Sequence, residues 1–234
     1  MTLDRRDLVG QAVAQLVLVT YTIIALFPIV LVLFNSIKNK KAIFSAPLAP
    51  PTPETFTLAG FQTVLAQGDF TLYFGNSLIV TLVSLFLILL LGAMAAFALS
   101  EYPFPGSTLL GLFMALGIMI PIRLGTVGIL ELMVRLSLVN TRTALILVYT
   151  AQGLPLAIFI LSEFMRGVSK DLKDAGRIDG LSEYRIFFQV VLPLMRPPMA
   201  TVAVFTMIPV WNDLWFPLIL APGEATKTDR KSVV

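Results

Sequence analysis

Residues 78–99 read LIVTLVSLFLILLLGAMAAFAL, 22 positions without a charge. An α-helix rises about 1.5 Å per residue, so about 20 apolar residues reach across the hydrocarbon of a bilayer. This stretch has that length, and Gly92 with Ala96 gives it a small-residue face on which another helix can pack closely. Four more stretches approach the same description: 13–34, with Pro28 inside; 109–130, with Pro121 marking a break; 144–162, interrupted by Gly153 and Pro155; and 199–220, with Pro209, Asp213 and Pro217. Five such stretches cannot be hidden in one soluble core, and with 57% hydrophobic and 13% charged residues the expected solvent is lipid. The fold class is all-α: a polytopic transmembrane helical bundle over 13–220, with residues 1–12 as a cytoplasmic N-terminus that leads into an uncleaved first span.

The chain has no Cys and no His, which removes thiolate nucleophiles, imidazole bases and most transition-metal sites. No cofactor, no metal and no enzymatic reaction are expected. No Lys/Arg-rich run of the kind that tracks nucleic acid occurs, and no phosphate-binding G-x-x-x-x-G-K-[ST] loop. An intramembrane enzyme would need a nucleophile or paired acids at depth, and Asp213 has no acidic mate nearby in sequence. With the N-terminus inside, the inner segments carry eight Lys/Arg against six outside, leaving aside residues after Leu220, a mild bias in the usual direction.

Two connections have character. Residues 35–73 include APLAPPTPETF, whose prolines favour extended backbone, and they read either as an external docking surface or as a passive connector. Residues 163–196 hold six basic and five acidic side chains, eleven of the 31 charges in the chain. Their pattern predicts a short helix with Ser169 as N-cap, Asp171 in the first turn, and Leu172, Ala175 and Ile178 or Gly176 near one face, stopped by Gly180. A second helix begins around Ser182, with Phe187, Val190, Val191 and Leu194 on one face, before Pro193 and Pro197-Pro198 disturb it. An amphipathic helix this short needs a partner surface, and mixed charge favours a protein over anionic lipid.

Here the residues carry a resemblance. DAGRIDGLSEYRIFFQVVLPL, residues 174–194, resembles the EAA loop of the membrane subunits of binding-protein-dependent ABC importers. Asp174-Ala175-Gly176 stands at the Glu-Ala-Ala positions, Gly180 at the glycine and Val190-Val191-Leu192-Pro193 at the closing motif; the departures are Asp for Glu and Gly176 for the second Ala. NSLIVTL, MIPI, LILVYTA and WNDLWFPLIL are similar to the carbohydrate-uptake branch, the maltose- and glycerol-phosphate-type permeases. The resemblance implies a multi-pass permease subunit of the inner (plasma) membrane that forms a pathway with a second permease and works with cytoplasmic ATP-hydrolysing subunits and an extracytoplasmic solute-binding protein. It assigns ATPase coupling to Asp174, Ala175, Gly176, Asp179, Gly180, Glu183, Leu192 and Pro193. An importer for another solute class, such as an amino acid or phosphate, shares the loop motif; a secondary transporter would lack it. Six spans are usual in the family, and residues 221–234 end in TKTDRKSVV, so a copy truncated before a sixth span, or a non-functional one, is the expectation for the tail.

Arg123, Trp211, Asn212 and Asp213 are the candidates for the pathway. An ionisable residue at membrane depth usually faces a cavity, a partner or an interface, and aromatic faces beside amides and carboxylates suit sugars. The competing readings are interfacial anchoring for the tryptophan and snorkelling for Arg123.

Overall fold

The computed structural model describes residues 5–67 and 69–223. The chain forms two compact units, residues 1–69 and 70–234. Residues 224–234, and with them the expectations placed on Lys227, Arg230 and Lys231, lie outside the described residues.

In the first unit, α1 (Arg5–Ser36) is a 32-residue helix that continues through Pro28. Its stretch 10–36 is long and apolar enough to cross a membrane. The proline-rich segment that follows is held to the end of α1 by its own polar side chains. Lys38 is buried and donates from Nζ to the carbonyls of Ala46 and Ala49, each at 2.9 Å. The Asn35 amide donates to Leu31 O (2.9 Å) and Pro47 O (3.0 Å). Asn39 caps α2 (Lys40–Ser45) by accepting from Ala42 N, and α3 (Ala59–Gln67) closes the unit.

In the second unit, α4 (Phe70–Glu101) and α7 (Arg142–Arg166) are the long apolar helices, and they pack along each other. The crossing rests on absent side chains. A Cβ on Gly92 would lie 2.9 Å from the Ala157 Cβ, and one on Gly153 would lie 2.5 Å from Ile88 Cδ1. Gly153 and Pro155 were expected to interrupt this stretch; instead α7 runs unbroken through both, because Gly153 gives Ile88 its place and the gap left by the proline's missing N–H falls within a packed helix.

The stretch expected to span at 109–130 is broken. α5 (Ser107–Met119) ends where Ile120 and Pro121 take extended backbone, a 3₁₀ turn covers Ile122–Gly125, and α6 (Thr126–Arg135) leaves at 91° to α5. Proline disfavours helical backbone at the residue before it, which accounts for the position of the break. The stretch 199–220 is likewise two helices, α11 (Arg196–Asn212) and α12 (Trp215–Leu220), separated at Asp213 and Leu214. Among the described residues three helices are long and apolar enough to cross a membrane; two bent pairs, Ser107–Met119 with Ile122–Arg135 and Glu183–Leu194 with Arg196–Asn212 (75°), bring the number to five if each is one span.

Between α7 and α11 lie α8 (Lys170–Ile178), α9 (Glu183–Arg185), a π-helical turn over Ile186–Val191 and α10 (Leu192–Leu194). One core joins this segment to the long helices: Ile88, Ala96 and Phe97 of α4, Leu161 and Met165 of α7, Ile186, Phe187 and Val191, and Val202 of α11. The inward positions expected from an α-helical period were Phe187, Val190, Val191 and Leu194. The structure buries Phe187 and Val191 as expected and packs Val190 partly buried against the core, but it also buries Ile186 and Met195 and leaves Leu194 exposed. The wider π turn adds a residue per turn and shifts the face.

Candidate coupling site

The turn at Gly180 is built by local chemistry. Ser169 takes non-helical backbone and accepts from Asp171 N at 3.2 Å, which satisfies a donor of the first turn of α8. At the other end Gly180 has φ +76°, and its N–H bonds to Arg177 O (3.0 Å) while Leu181 N–H bonds to Gly176 O (2.9 Å). That pair of bonds is the Schellman arrangement, and it needs the left-handed conformation a glycine adopts without strain. Gly176 has a different role. It is buried where a Cβ would lie 3.3 Å from Ile186 Cγ1, so the missing side chain lets α8 sit close against the returning segment.

α8 is mounted with its apolar side outward. Leu172 and Ala175 are exposed and Ile178 is 86% exposed, whereas the buried positions are Lys173 and Gly176. The inward face is held by charge. Glu101, the last residue of α4 and 7% exposed, offers one carboxylate oxygen to Lys173 Nζ and the other to Arg177 Nη2 at 2.7 Å. Arg177 uses its whole fork: Nε donates to Glu183 Oε1 at 2.8 Å and Nη1 to Asp174 Oδ1 at 2.7 Å. Tyr102 donates its hydroxyl to the second oxygen of Glu183. Three carboxylates thus surround two cations. Hydrogen bonds from Arg177 and Tyr102 hold the Glu183 carboxyl below the usual carboxylate range, and those to Glu183, Glu101 and Asp174 raise the Arg177 guanidinium further above its already high value. Burial, aided by Glu183, pushes the Tyr102 phenol up.

A second polar locus stands where α11 gives way to α12. Asp213, its side chain 10% exposed, accepts from Phe216 N at 3.1 Å and so caps α12; its carboxylate also accepts from the Tyr149 hydroxyl at 2.9 Å and lies 3.6 Å from Arg123 Nη2. The Arg123 guanidinium sits 5.9 Å from the Trp215 ring centroid, and Trp215 Nε1 donates to Thr126 Oγ1 at 3.0 Å. This gives one acid, one cation and one aromatic face. It is not a pair of acids, and among the described residues no group of three or more His, Cys, Asp or Glu is placed to hold a metal ion. The arrangement can hydrogen-bond a polyol or fix a helix break; it offers no nucleophile.

Residues 88–228, which contain the α8 turn and the Asp213 break, match the model of the family described as binding-protein-dependent transport system inner membrane component. The chain belongs to that family. Its members are membrane transport subunits, not enzymes. A diacetylchitobiose uptake system permease protein of Streptomyces coelicolor is 35% identical over 209 residues, covering 89% of this chain and 68% of that protein. An arabinooligosaccharides transport system permease protein of Halalkalibacterium halodurans is 38% identical over 169 residues, covering 72% of this chain and 60% of that protein. A solved bacterial ABC transporter involved in the import of the acidic polysaccharide alginate shares the fold, with a TM-score of 0.84 at 21% identity over all of this chain and 81% of that one.

In this permease the residues singled out from sequence fall into separate groups. Asp174 and Glu183 meet at Arg177, Gly176 and Gly180 build the turn, and Ala175 and Asp179 are exposed. Leu192 and Pro193 lie beyond the π turn, Leu192 packed against the core and Pro193 exposed. Arg123 and Asp213 come together, but Trp211 packs edge-on against Phe74 with ring centroids 5.8 Å apart, and Asn212 bonds back to Ile208 O at 2.9 Å. Sequence reasoning missed Glu101, Tyr102, Lys173, Arg177 and Tyr149. For Glu101 there was a signal: it is the one charge in the whole of α4.

Proposed function

We propose that this permease carries a sugar or oligosaccharide across the inner membrane and takes its drive from separate ATP-hydrolysing subunits through residues 163–196. The observation that carries the coupling role is the orientation of α8. An exposed stripe of Leu172, Ala175 and Ile178 on a helix whose charged side is already satisfied is a surface fitted to a protein cleft. In this reading Gly180 fixes the angle of the stripe, Asp174 and Glu183 hold Arg177, and Asp179 lies at the rim of the contact. Leu192 and Pro193 close the loop against the bundle. The loop faces the cytoplasm, which places the N-terminus on the same side.

The solute class is supported by the relatives, two of which are named for diacetylchitobiose uptake and arabinooligosaccharides transport. Arg123, Asp213 and Trp215 suit such a solute, with an aromatic face beside charged hydrogen-bonding groups. The second permease completes the pathway, and an extracytoplasmic solute-binding protein delivers the solute. Co-reconstitution with the second permease, ATPase and binding protein tests this. ATP-dependent uptake of labelled oligosaccharides, without uptake of amino acids or phosphate, is expected; the reverse preference would refute the sugar reading while leaving the coupling reading in place.

A further inference from the structure

The charge cluster that anchors α8 asks for a reason. Replacing a buried ion pair by well-packed apolar residues is often neutral or stabilising, so such a pair is poor evidence for added stability and better suited to fixing one arrangement among several. Here the arrangement joins two elements of different kind. α4 is a 32-residue helix whose sequence contains no charge until its final residue, Glu101. α8 belongs to the loop, and its apolar stripe points away from the bundle. Gly176 packs α8 against Ile186 within the loop itself. Between α8 and a membrane-length helix the polar connection is the Glu101 carboxylate, gripped on one oxygen by Lys173 and on the other by Arg177. Two cations on two oxygens fix both the distance and the rotation of α8, which a single contact would not.

We infer that Glu101 is a positioning residue for coupling: it locks α8 to the end of α4, so that force applied to the exposed stripe of α8 moves α4, and through the close Gly92–Ala157 crossing α7, as one body. The inference rests on the reading of α8 as the surface that meets the ATPase. Lys173 and Arg177 are the two jaws of the lock. Arg177 also carries Asp174 and Glu183, so its loss would leave three neighbouring carboxylates with one cation. Glu101→Gln keeps the shape of the side chain and one acceptor while removing the charge that holds both jaws.

The test uses the complete transporter reconstituted with its second permease, ATPase and binding protein, and reads solute imported per ATP hydrolysed. Glu101→Gln is expected to assemble and hydrolyse ATP but to lower that ratio by about two- to thirtyfold, the range over which a single residue on a coupling route acts. A normal ratio would overturn the inference. A second variant covers failure of the first to assemble: Glu101→Cys with Lys173→Cys, in a chain that has no cysteine of its own. A short bifunctional thiol cross-linker should raise its ratio toward the parent value, and an unchanged ratio after cross-linking would also overturn the lock. A separate arm keeps the two readings apart. If a cysteine at Ile178 cross-links to the ATPase while Glu101→Gln imports normally, the lock alone fails; if no such cross-link forms, the coupling reading fails with it.

Discussion

Replacing Gly180 should separate backbone cost from side-chain bulk. At φ +76° an L-residue occupies the left-handed region at a cost of about 1–2 kcal/mol, with β-branched residues at the upper end. A Cβ at Gly180 would meet no heavy atom within 4 Å, so neighbouring packing adds nothing to that cost. The penalty therefore falls on the two turn hydrogen bonds, Gly180 N to Arg177 O and Leu181 N to Gly176 O, which set the angle between α8 and the returning chain. A shift of 1–2 kcal/mol changes the ratio of formed to reoriented turn by about 5- to 30-fold. Gly180→Val is expected to reach the membrane at parental levels and to lower ATP-dependent uptake in proteoliposomes by a factor in that range. Gly180→Asn should stay near parental uptake because asparagine tolerates positive φ, with Gly180→Ala between the two. Normal uptake by the Val variant would show that coupling does not depend on the left-handed turn at Gly180. So would an Asn variant as impaired as Val, since bulk and not φ would then be at fault.

The exposed stripe can be tested by charge: Leu172→Asp together with Ile178→Glu should abolish co-purification of the ATPase without changing the amount of permease in the membrane, and retained co-purification would place the contact elsewhere. Asp213→Asn removes a carboxylate that caps α12 and accepts from Tyr149, and it should lower stability in detergent by about 1–3 kcal/mol, read by thermal unfolding. The Glu183 carboxyl is held below its ordinary range, so its contribution is full above the unfolded value and is lost as pH falls through the folded one. Hydrogen exchange around Gly180 should accordingly be flat from about pH 8 to about pH 5 apart from its intrinsic pH dependence, and protection should drop at more acid pH. Arg177→Gln should move that drop upward in pH; an unmoved midpoint would remove Arg177 from the cause.

Local punctuation was legible in the sequence, and long-range partnership was not. Ser169 and Gly180 announce a cap and a stop, because each acts on backbone within a few residues of itself. Pro121 announces the break in the stretch 109–130 for the same reason, although the 91° turn that follows depends on what α6 packs against. The inward face of α8 could not be read from hydrophobicity, since its anchor is a carboxylate 72 residues earlier in the chain and the usual rule for an amphipathic helix is inverted. A period of 3.6 found Phe187 and Val191 but missed Ile186 and Met195, because residues 186–191 form a π turn whose Ile186, Phe187 and Val191 pack in the core. Arg123 and Asp213 were each legible as charges near membrane depth, but their meeting depends on two helix breaks folding toward one another.

If the outward face of α8 is where ATP hydrolysis reaches the membrane helices, that face must lie within reach of the ATPase. Lys173 is buried in the Glu101 cluster, whereas Ile178 is exposed. In the otherwise cysteine-free chain, a single cysteine at Ile178 should cross-link to the ATPase subunit in the assembled transporter, and the cross-link should block ATP-driven uptake. The same cysteine should resist an impermeant thiol reagent added outside intact cells. Labelling from outside, or an ATPase that binds and works normally with no cross-link formed at Ile178, would rule out a coupling role for this face of α8.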